Sequence, residues 1–570
     1  MAVTHGSAGG DTKLSTRLRN WRDSGLVWSV LLVAAVIVGI FLRCYQISTQ
    51  ILLDDEWHAI NELLHAEAWQ IATHFGVADY SIPLTLYDKF LYLHGGLSEW
   101  GMRAPMLITG IGILFLAPWL LRRMAKPATL AVWIGLMAIS PVLVYLTRTA
   151  RPYAITDLLC FVAIIAFREW WHGAPARKRW AGLYLGCTLL AGWLHLITLP
   201  FTLMPFVFFG IATLRDGFTS GWNDVWRRIG ALVLLGVLIA GLLTAVLLPP
   251  ILGDWASLAG KAGSGTVTLD SIYRTAQMAF GLGDPWSFSA MLVLLAVGVV
   301  AWWRRDAGFV GYVGAIILVS AAAIAASHPA WVQNPGVYTR YMQPAIPFLL
   351  LFTAQGVTTI CQRLPALVHG LLAVALICAL YFVGPIPGYL YNPNQFMGHP
   401  FFQFDYDPDR NVFFTVLPPV QVPAFYHALA SLPPRSLTLI ESPWTILTYF
   451  DPQPMYQRVH RQYIRIGILS PLCGPPAYGE FPPHGGMQLS QFVNISDVLD
   501  GASSDGDLLI MHLQHWPPNA GPASRWPDVP ACLARIEQTL GAPDYHDNQV
   551  VVFALSPRGR SDLSALGLKN

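Results

Sequence analysis

The sequence predicts a multi-span α-helical membrane protein with a small exported α/β domain at its C-terminal end, on three observations. Hydrophobic residues make up 54% of the chain and charged residues only 12%, about half the charged share of an ordinary soluble domain. Apolar runs of roughly 20 residues, the length that crosses about 30 Å of hydrocarbon, recur as far as residue 384. From 385 to 570 they stop, and the chain turns rich in Pro, Asp and His.

Residues 1–25 are polar and end in Lys13, Arg17, Arg19 and Arg22. The run Leu26 to Leu42 has no small-residue cleavage site after it, so it reads as a retained first span and not as a removed signal peptide. Further candidate spans are 104–121, 128–146, 153–168, 181–194, 196–213, 229–250, 289–303, 308–327, 344–360 and 366–384, about eleven in all. His195 interrupts the pair 181–194 and 196–213, which is too long for one span and short for two. With the N-terminus inside, Lys and Arg concentrate in the inside loops, as at Arg122, Arg123 and Lys126, at Arg177, Lys178 and Arg179, and at Arg304 and Arg305. The transmembrane region is therefore 26–384, and loop 44–103 and everything after 385 face away from the cytoplasm.

Within that loop, 56–75 and 84–97 repeat apolar residues at helical spacing and read as amphipathic surface helices. In the tail, 436–441, 507–511 and 549–555 read as buried strands, with helical patterns near 443–450 and 526–540. Most cysteines lie inside apolar runs, where an inert buried thiol is expected. Cys473 and Cys532 are the pair in a polar region, positioned to bridge if that region is exported. No basic arm with interleaved aromatics tracks a phosphate backbone, so nucleic acid is not an expected partner.

Three acids, Asp54, Asp55 and Glu56, stand just beyond the first span. The plain reading is an acidic first turn that favours the dipole of the following helix. Other polar residues gather at the same side of the membrane: Asp79 between the two surface helices, Arg148, Arg151, Tyr153 and Asp157 around the start of the fourth span, His195, and Tyr338, Arg340 and Tyr341 before the tenth. Each also has a plain reading, such as an arginine reaching the interface. Intramembrane charge, however, is costly and usually has a partner or a task. Their shared side suits an anionic, lipid-linked substrate.

The motifs D55-E56, D79-Y-S-I-P83, G101-M-R103-A-P105, R151-P-Y-A154 and R340-Y-M-Q-P-A-I-P347 resemble, in this order, the GT-C membrane glycosyltransferases. The branch is similar to that of the protein O-mannosyltransferases and lipid A aminoarabinose transferases, over about residues 26–360. The chain departs from many relatives in carrying Ile82 before Pro83, where they have a double proline, and in the extra acid Asp54. The resemblance implies transfer of a sugar from a polyprenyl-phosphate donor to a lipid, glycan or protein hydroxyl, with inversion. It makes Asp55 the base, with Glu56 or Asp54 orienting it, and Arg340, Arg151, His195, Tyr341, Tyr153 and Arg148 the binders of the donor phosphate. It also offers Asp79 and Asp157 as ligands of a divalent metal ion of unassigned identity. The absence of a nucleotide-binding glycine loop agrees with a lipid-carried donor. A lipid-linked-substrate transporter or flippase and a non-catalytic scaffold of this fold are the competing classes.

Overall fold

The computed structural model describes residues 9–387, except 46, 48–51, 53–54, 79, 174–176, 221 and 264. In the tail it describes 422–443, 453–469, 472–473, 492–501, 506–513 and 528–568. The first part is helical: α1 Gly9–Cys44, α2 Asp55–His65, α3 Ala68–Thr73, α4 Ile82–Leu93, α5 Glu99–Leu121, α6 Pro127–Ala138, α7 Pro141–Thr147, α8 Tyr153–Trp171 and α9 Arg177–Leu194. It continues with α10 Leu199–Ser220, α11 Asn223–Gly253, α12 Trp255–Gly260, α13 Leu269–Phe280, α14 Pro285–Trp303, α15 Ala307–Ala326, α16 Pro335–Met342, α17 Ile346–Cys361 and α18 Ala366–Val383.

Among the described residues eight helices are long and apolar enough to cross a membrane. A ninth appears if α6 and α7, bent by 60° at their junction, are taken as one span. That bend has a local cause: Pro141 begins α7, has no N–H to continue the ladder and disfavours helical backbone at Ser140 before it. The two remaining expected spans, 153–168 and 181–194, are the helices α8 and α9. Charges interrupt their apolar runs: Asp157, Arg168 and Glu169 in α8, and Arg177, Lys178 and Arg179 at the start of α9. All eleven expected stretches are thus helical, but fewer meet the composition of a span. The interruption at His195 is real: α9 ends at Leu194, His195 is extended, and a short 3₁₀ turn, Leu196–Thr198, leads into α10.

Helices pack closest where side chains are smallest. A Cβ on Gly298 of α14 would lie 1.7 Å from the Phe352 carbonyl oxygen of α17, and one on Gly356 would lie 1.9 Å from that of Leu294. The two backbones therefore touch, as small residues permit between spans. The expected surface helix 56–75 is two helices, because α2 stops and the Glu67 N–H is capped by the Gln70 side chain at 2.8 Å to start α3. The expected 84–97 is α4, ending three residues after Phe90 with His94 and Gly95 beyond it.

The tail folds as a six-stranded sheet: β1 Thr438–Ser442, β2 Tyr463–Ile468, β3 Phe492–Asn494, β4 Leu508–His512, β5 Tyr545–His546 and β6 Val550–Ala554, in the order β3-β2-β1-β4-β6-β5. β3, β2, β1 and β4 run parallel, with Ile440 between Arg465 and Leu509, and β6 and β5 are antiparallel. Alternation along the strands splits the core in two. Ile440, Leu509, Met511, Val551 and Phe553 pack under helix Val529–Leu540. Leu439, Leu508, Ile510, Val550 and Val552 face Phe425, Tyr426 and Leu563 from helices Ala424–Leu429 and Pro557–Ala565. Every residue of β4 is buried, as a central strand covered on both faces requires. The three expected strands appear as β1, β4 and β6, and the helix expected at 526–540 is Val529–Leu540. The helical pattern expected at 443–450 lies outside the described residues. Cys473 and Cys532 form the anticipated disulfide. At the sheet edge, Phe492 of β3 packs against the cluster of α2, α4 and α5 described next.

Candidate functional site

One apolar cluster gathers the ends of α2, α4, α5, α8 and α9, which carry part of the predicted set. Leu52, Ile60 and Leu63 around α2, Leu84 of α4, Met102 and Met106 of α5, Ala150 and Ala154 at the start of α8, and Leu194 at the end of α9 are all buried together. Burying this set obliges α2 and α4 to lie over the ends of the spans instead of in solvent.

Glu56 is the polar anchor of the cluster. Its Oε1 accepts from Arg103 Nε at 2.9 Å and from the Ala150 backbone N–H at 2.6 Å, and its Oε2 accepts from Arg103 Nη2 at 2.9 Å. Neither side chain has any exposed surface. Arg103 Nη1 also donates to the Ile47 carbonyl at 3.0 Å. A buried carboxylate held by a two-point guanidinium contact is oriented and geometrically specific. Glu56 therefore positions its neighbours. Asp55 opens α2 beside it; the Asp55 side chain, Asp54 and Asp79 lie outside the described residues.

Four of the predicted binders converge. The Arg340 guanidinium lies over the Tyr153 ring, 5.3 Å from its centroid, within cation–π range. The Tyr153 ring is 5.6 Å from that of His195, and His195 is 5.7 Å from Tyr341. These residues come from α16, the first turn of α8 and the break after α9, so helix ends far apart in sequence share one place. Arg151, two residues before Tyr153, is buried. Arg148 does something else: its Nη1 donates to the carbonyls of Leu42, Arg43 and Tyr45 at 3.3, 3.0 and 2.8 Å, capping the end of α1.

Asp157 stands one turn after Tyr153 and is buried, accepting from Gln343 and attracted by Arg43. Asp157 Oδ1 and Gln343 Oε1 have no hydrogen-bond partner. Two oxygens suit a hard divalent ion, but the Arg43 charge already answers this carboxylate. Among the described residues no three His, Cys, Asp or Glu side chains gather as a metal site.

Sequence reasoning missed Asp88. It lies in α4, fully buried, with neither carboxylate oxygen hydrogen-bonded. Burial pushes its pKa well above the usual carboxylate range, the nearby Glu56 charge pushes it further, and Arg151 partly opposes both. Its neighbour Lys89 donates to the Leu63 carbonyl at 2.8 Å, tying α4 to the last turn of α2. The signal available was an acid and a base set adjacent in an otherwise apolar helix. Arg43, whose guanidinium donates to the Gly39, Met137 and Ala138 carbonyls, was likewise missed.

No family model and no curated protein sequence matches the chain. Among solved structures, ArnT from Cupriavidus metallidurans in the apo state aligns over 93% of this chain and 98% of its own, at 11% identity and TM-score 0.45. The same protein bound to undecaprenyl phosphate aligns over the same shares at 12% identity and TM-score 0.41. The archaeal oligosaccharyltransferase AglB from Archaeoglobus fulgidus, in complex with an inhibitory peptide and a dolichol-phosphate, aligns over 85% of this chain and 69% of its own, at 12% identity and TM-score 0.40. These are GT-C enzymes.

Proposed function

We propose that the chain is a glycosyltransferase that moves a sugar from a polyprenyl-phosphate donor to an acceptor hydroxyl on the face of the membrane away from the cytoplasm. The observation that carries this reading is the meeting of Arg340, Tyr153, His195 and Tyr341 at the first turn of α8, three residues after the Ala150 N–H that Glu56, paired with Arg103, holds to the start of α2. Cations and hydrogen-bonding aromatics there suit a phosphate, and α2 begins with the candidate base.

In this mechanism the Asp55 carboxylate takes the proton of the acceptor hydroxyl as its oxygen attacks the anomeric carbon. A very weakly acidic alcohol needs such a base. The bond from the anomeric carbon to the phosphate oxygen breaks, and its electron pair leaves on the polyprenyl phosphate. Attack opposite the leaving group inverts the carbon. The leaving group is a stable anion and needs positive charge more than a proton. Arg340, Arg151 and His195 supply it as preorganised groups. Glu56 keeps α2 and the Ala150 backbone in register, so the base and the cations hold their spacing. No step is routed through a metal. A groove of about 460 Å³ between α1, α6 and α18, lined by Leu31, Ala35, Val38, Ala131, Gly135 and Ile377, is the proposed bed of the prenyl chain.

The test is label transfer from radiolabelled polyprenyl-phosphate sugars by the reconstituted protein, with Asp55→Asn alongside. Transfer by wild type and its loss in the variant support the reading. Transfer that persists in Asp55→Asn removes Asp55 from this role, and no transfer from any donor overturns the enzyme.

A further inference from the structure

The end of α8 away from Tyr153 carries a group of rings and cations that the transferase mechanism does not use. Trp170 and Trp171 close this helix, with ring centroids 6.1 Å apart. Trp171 also lies 5.1 Å from the ring of Phe209 in α10. Arg177, the first residue of α9, places its guanidinium over the Trp170 ring at 5.2 Å, and Arg228 of α11 places its own over the Trp171 ring at 5.9 Å. Helix ends from α8, α9 and α11 thus bring two cations to one pair of neighbouring indoles.

The helices that carry this group fix its depth. α10 and α11 supply the candidate spans Leu196–Thr219 and Val225–Gly253, so the turn between them marks a membrane boundary. Around that turn Phe218, Trp222 and Trp226 are all exposed, and their rings follow one another at 5.2 and 5.9 Å. Tryptophan gathers at the headgroup layer, where one end of the ring is apolar and the other wet. Arg228 stands in the second turn of α11, at the same level. The candidate transferase site is at the other end of α8, 19 residues and about 28 Å away.

A guanidinium laid on an aromatic ring is held by its face and keeps the N–H groups along its edge for an anion. Arg228 also meets Asp216 at 3.4 Å, in a pair about half exposed on each side. Such a pair is worth at most about 1 kcal/mol, so a phosphate can compete for the arginine. Arg168 on the same stretch of α8 is different: Asp306 at 2.8 Å and Glu169 at 3.3 Å already answer its charge. A soluble phosphate finds no use for the apolar surface here, and a zwitterionic headgroup carries its own cation. An anionic phospholipid supplies an unanswered phosphate at headgroup depth, and its acyl chains can run along exposed Leu214, Val233 and Leu234 of α10 and α11. We propose that Arg177 and Arg228, seated on Trp170 and Trp171, bind the phosphate of an anionic phospholipid at the membrane face opposite the candidate transferase site. This site stands apart from the transferase reading and does not depend on it.

The test is native mass spectrometry of the purified full-length protein, titrated with phosphatidylglycerol or phosphatidylcholine of the same acyl chains. Wild type is expected to retain phosphatidylglycerol in preference. Arg177 and Arg228 are exposed, so Arg177→Gln and Arg228→Gln are expected to fold as wild type. Each should weaken phosphatidylglycerol retention by about fivefold, the worth of one cation against an anionic lipid. Lys178→Gln removes the same charge from the next residue, also exposed, and is expected to leave retention nearly unchanged. Three results overturn the proposal. They are equal retention of the two lipids, a loss in Lys178→Gln as large as in Arg177→Gln, which leaves only diffuse charge, and glycerol phosphate binding as tightly as the lipid, which leaves only a phosphate site.

Discussion

Glu56 and Arg103 face each other as a fully buried two-point ion pair, each nitrogen–oxygen contact 2.9 Å long. The pair joins α2 to α5, and through the Ala150 N–H to the start of α8. Removing one partner leaves the other charge stranded, which typically costs about 3–5 kcal/mol. Glu56→Ala is expected to lower the unfolding temperature sharply, and adding Arg103→Met to recover part of the loss. Additive losses in this cycle would show that the pair is not coupled.

Arg340 is expected to act in transfer more than in stability, because it sits over the Tyr153 ring, which in turn neighbours His195, where the phosphate is proposed to lie. Arg340→Ala should cut kcat/KM for sugar transfer by about 10²-fold or more while the protein unfolds near the wild-type temperature. Arg340→Lys, which keeps charge but not the planar fork, should recover part of the rate.

Asp88 gives a pH signature. Its folded pKa is raised well above 3.8, so the folded protein holds this proton more tightly than the unfolded chain. The stability it lends is full below about pH 3.8 and is lost as pH rises through the folded value. Asp88→Asn mimics the protonated form at every pH. Its unfolding temperature is expected to exceed that of wild type at pH 8 and to converge with it near pH 4. Parallel curves would contradict the assignment.

His460 runs the other way. Its pKa falls from 6.5 to about 3 on folding, so the unfolded chain takes up the proton first. The sheet should lose about 1.4 kcal/mol per pH unit from this residue as pH falls below 6.5 towards 3. His460→Phe removes that slope. Hydrogen exchange of the sheet amides across this range reads it directly.

How much was legible follows from the range of each interaction. The elongated spans, the break at His195, strands β1, β4 and β6 and the Cys473–Cys532 bridge were all readable, because each rests on local periodicity or on a small set of candidates. Strands β2, β3 and β5 were missed: Tyr463–Ile468 carries Arg465 in its middle, and the other two are only 3 and 2 residues long. Asp88 and Arg43 were not singled out, since burial is a property of what packs over them.

The sequence alone determined that this is a membrane protein and where its helices lie, because hydrocarbon accepts only long apolar segments whose backbone groups are bonded within the helix. It also named Glu56, Arg103, Arg148, Arg340, Tyr153 and His195 as candidates. The tertiary structure decided their use: Glu56 is clamped by Arg103, Arg148 caps α1, Arg340 reaches Tyr153, and Glu441 meets His512 across two strands. Those pairings depend on how helix ends and strands from distant parts of the chain pack, and no local pattern encodes that distance.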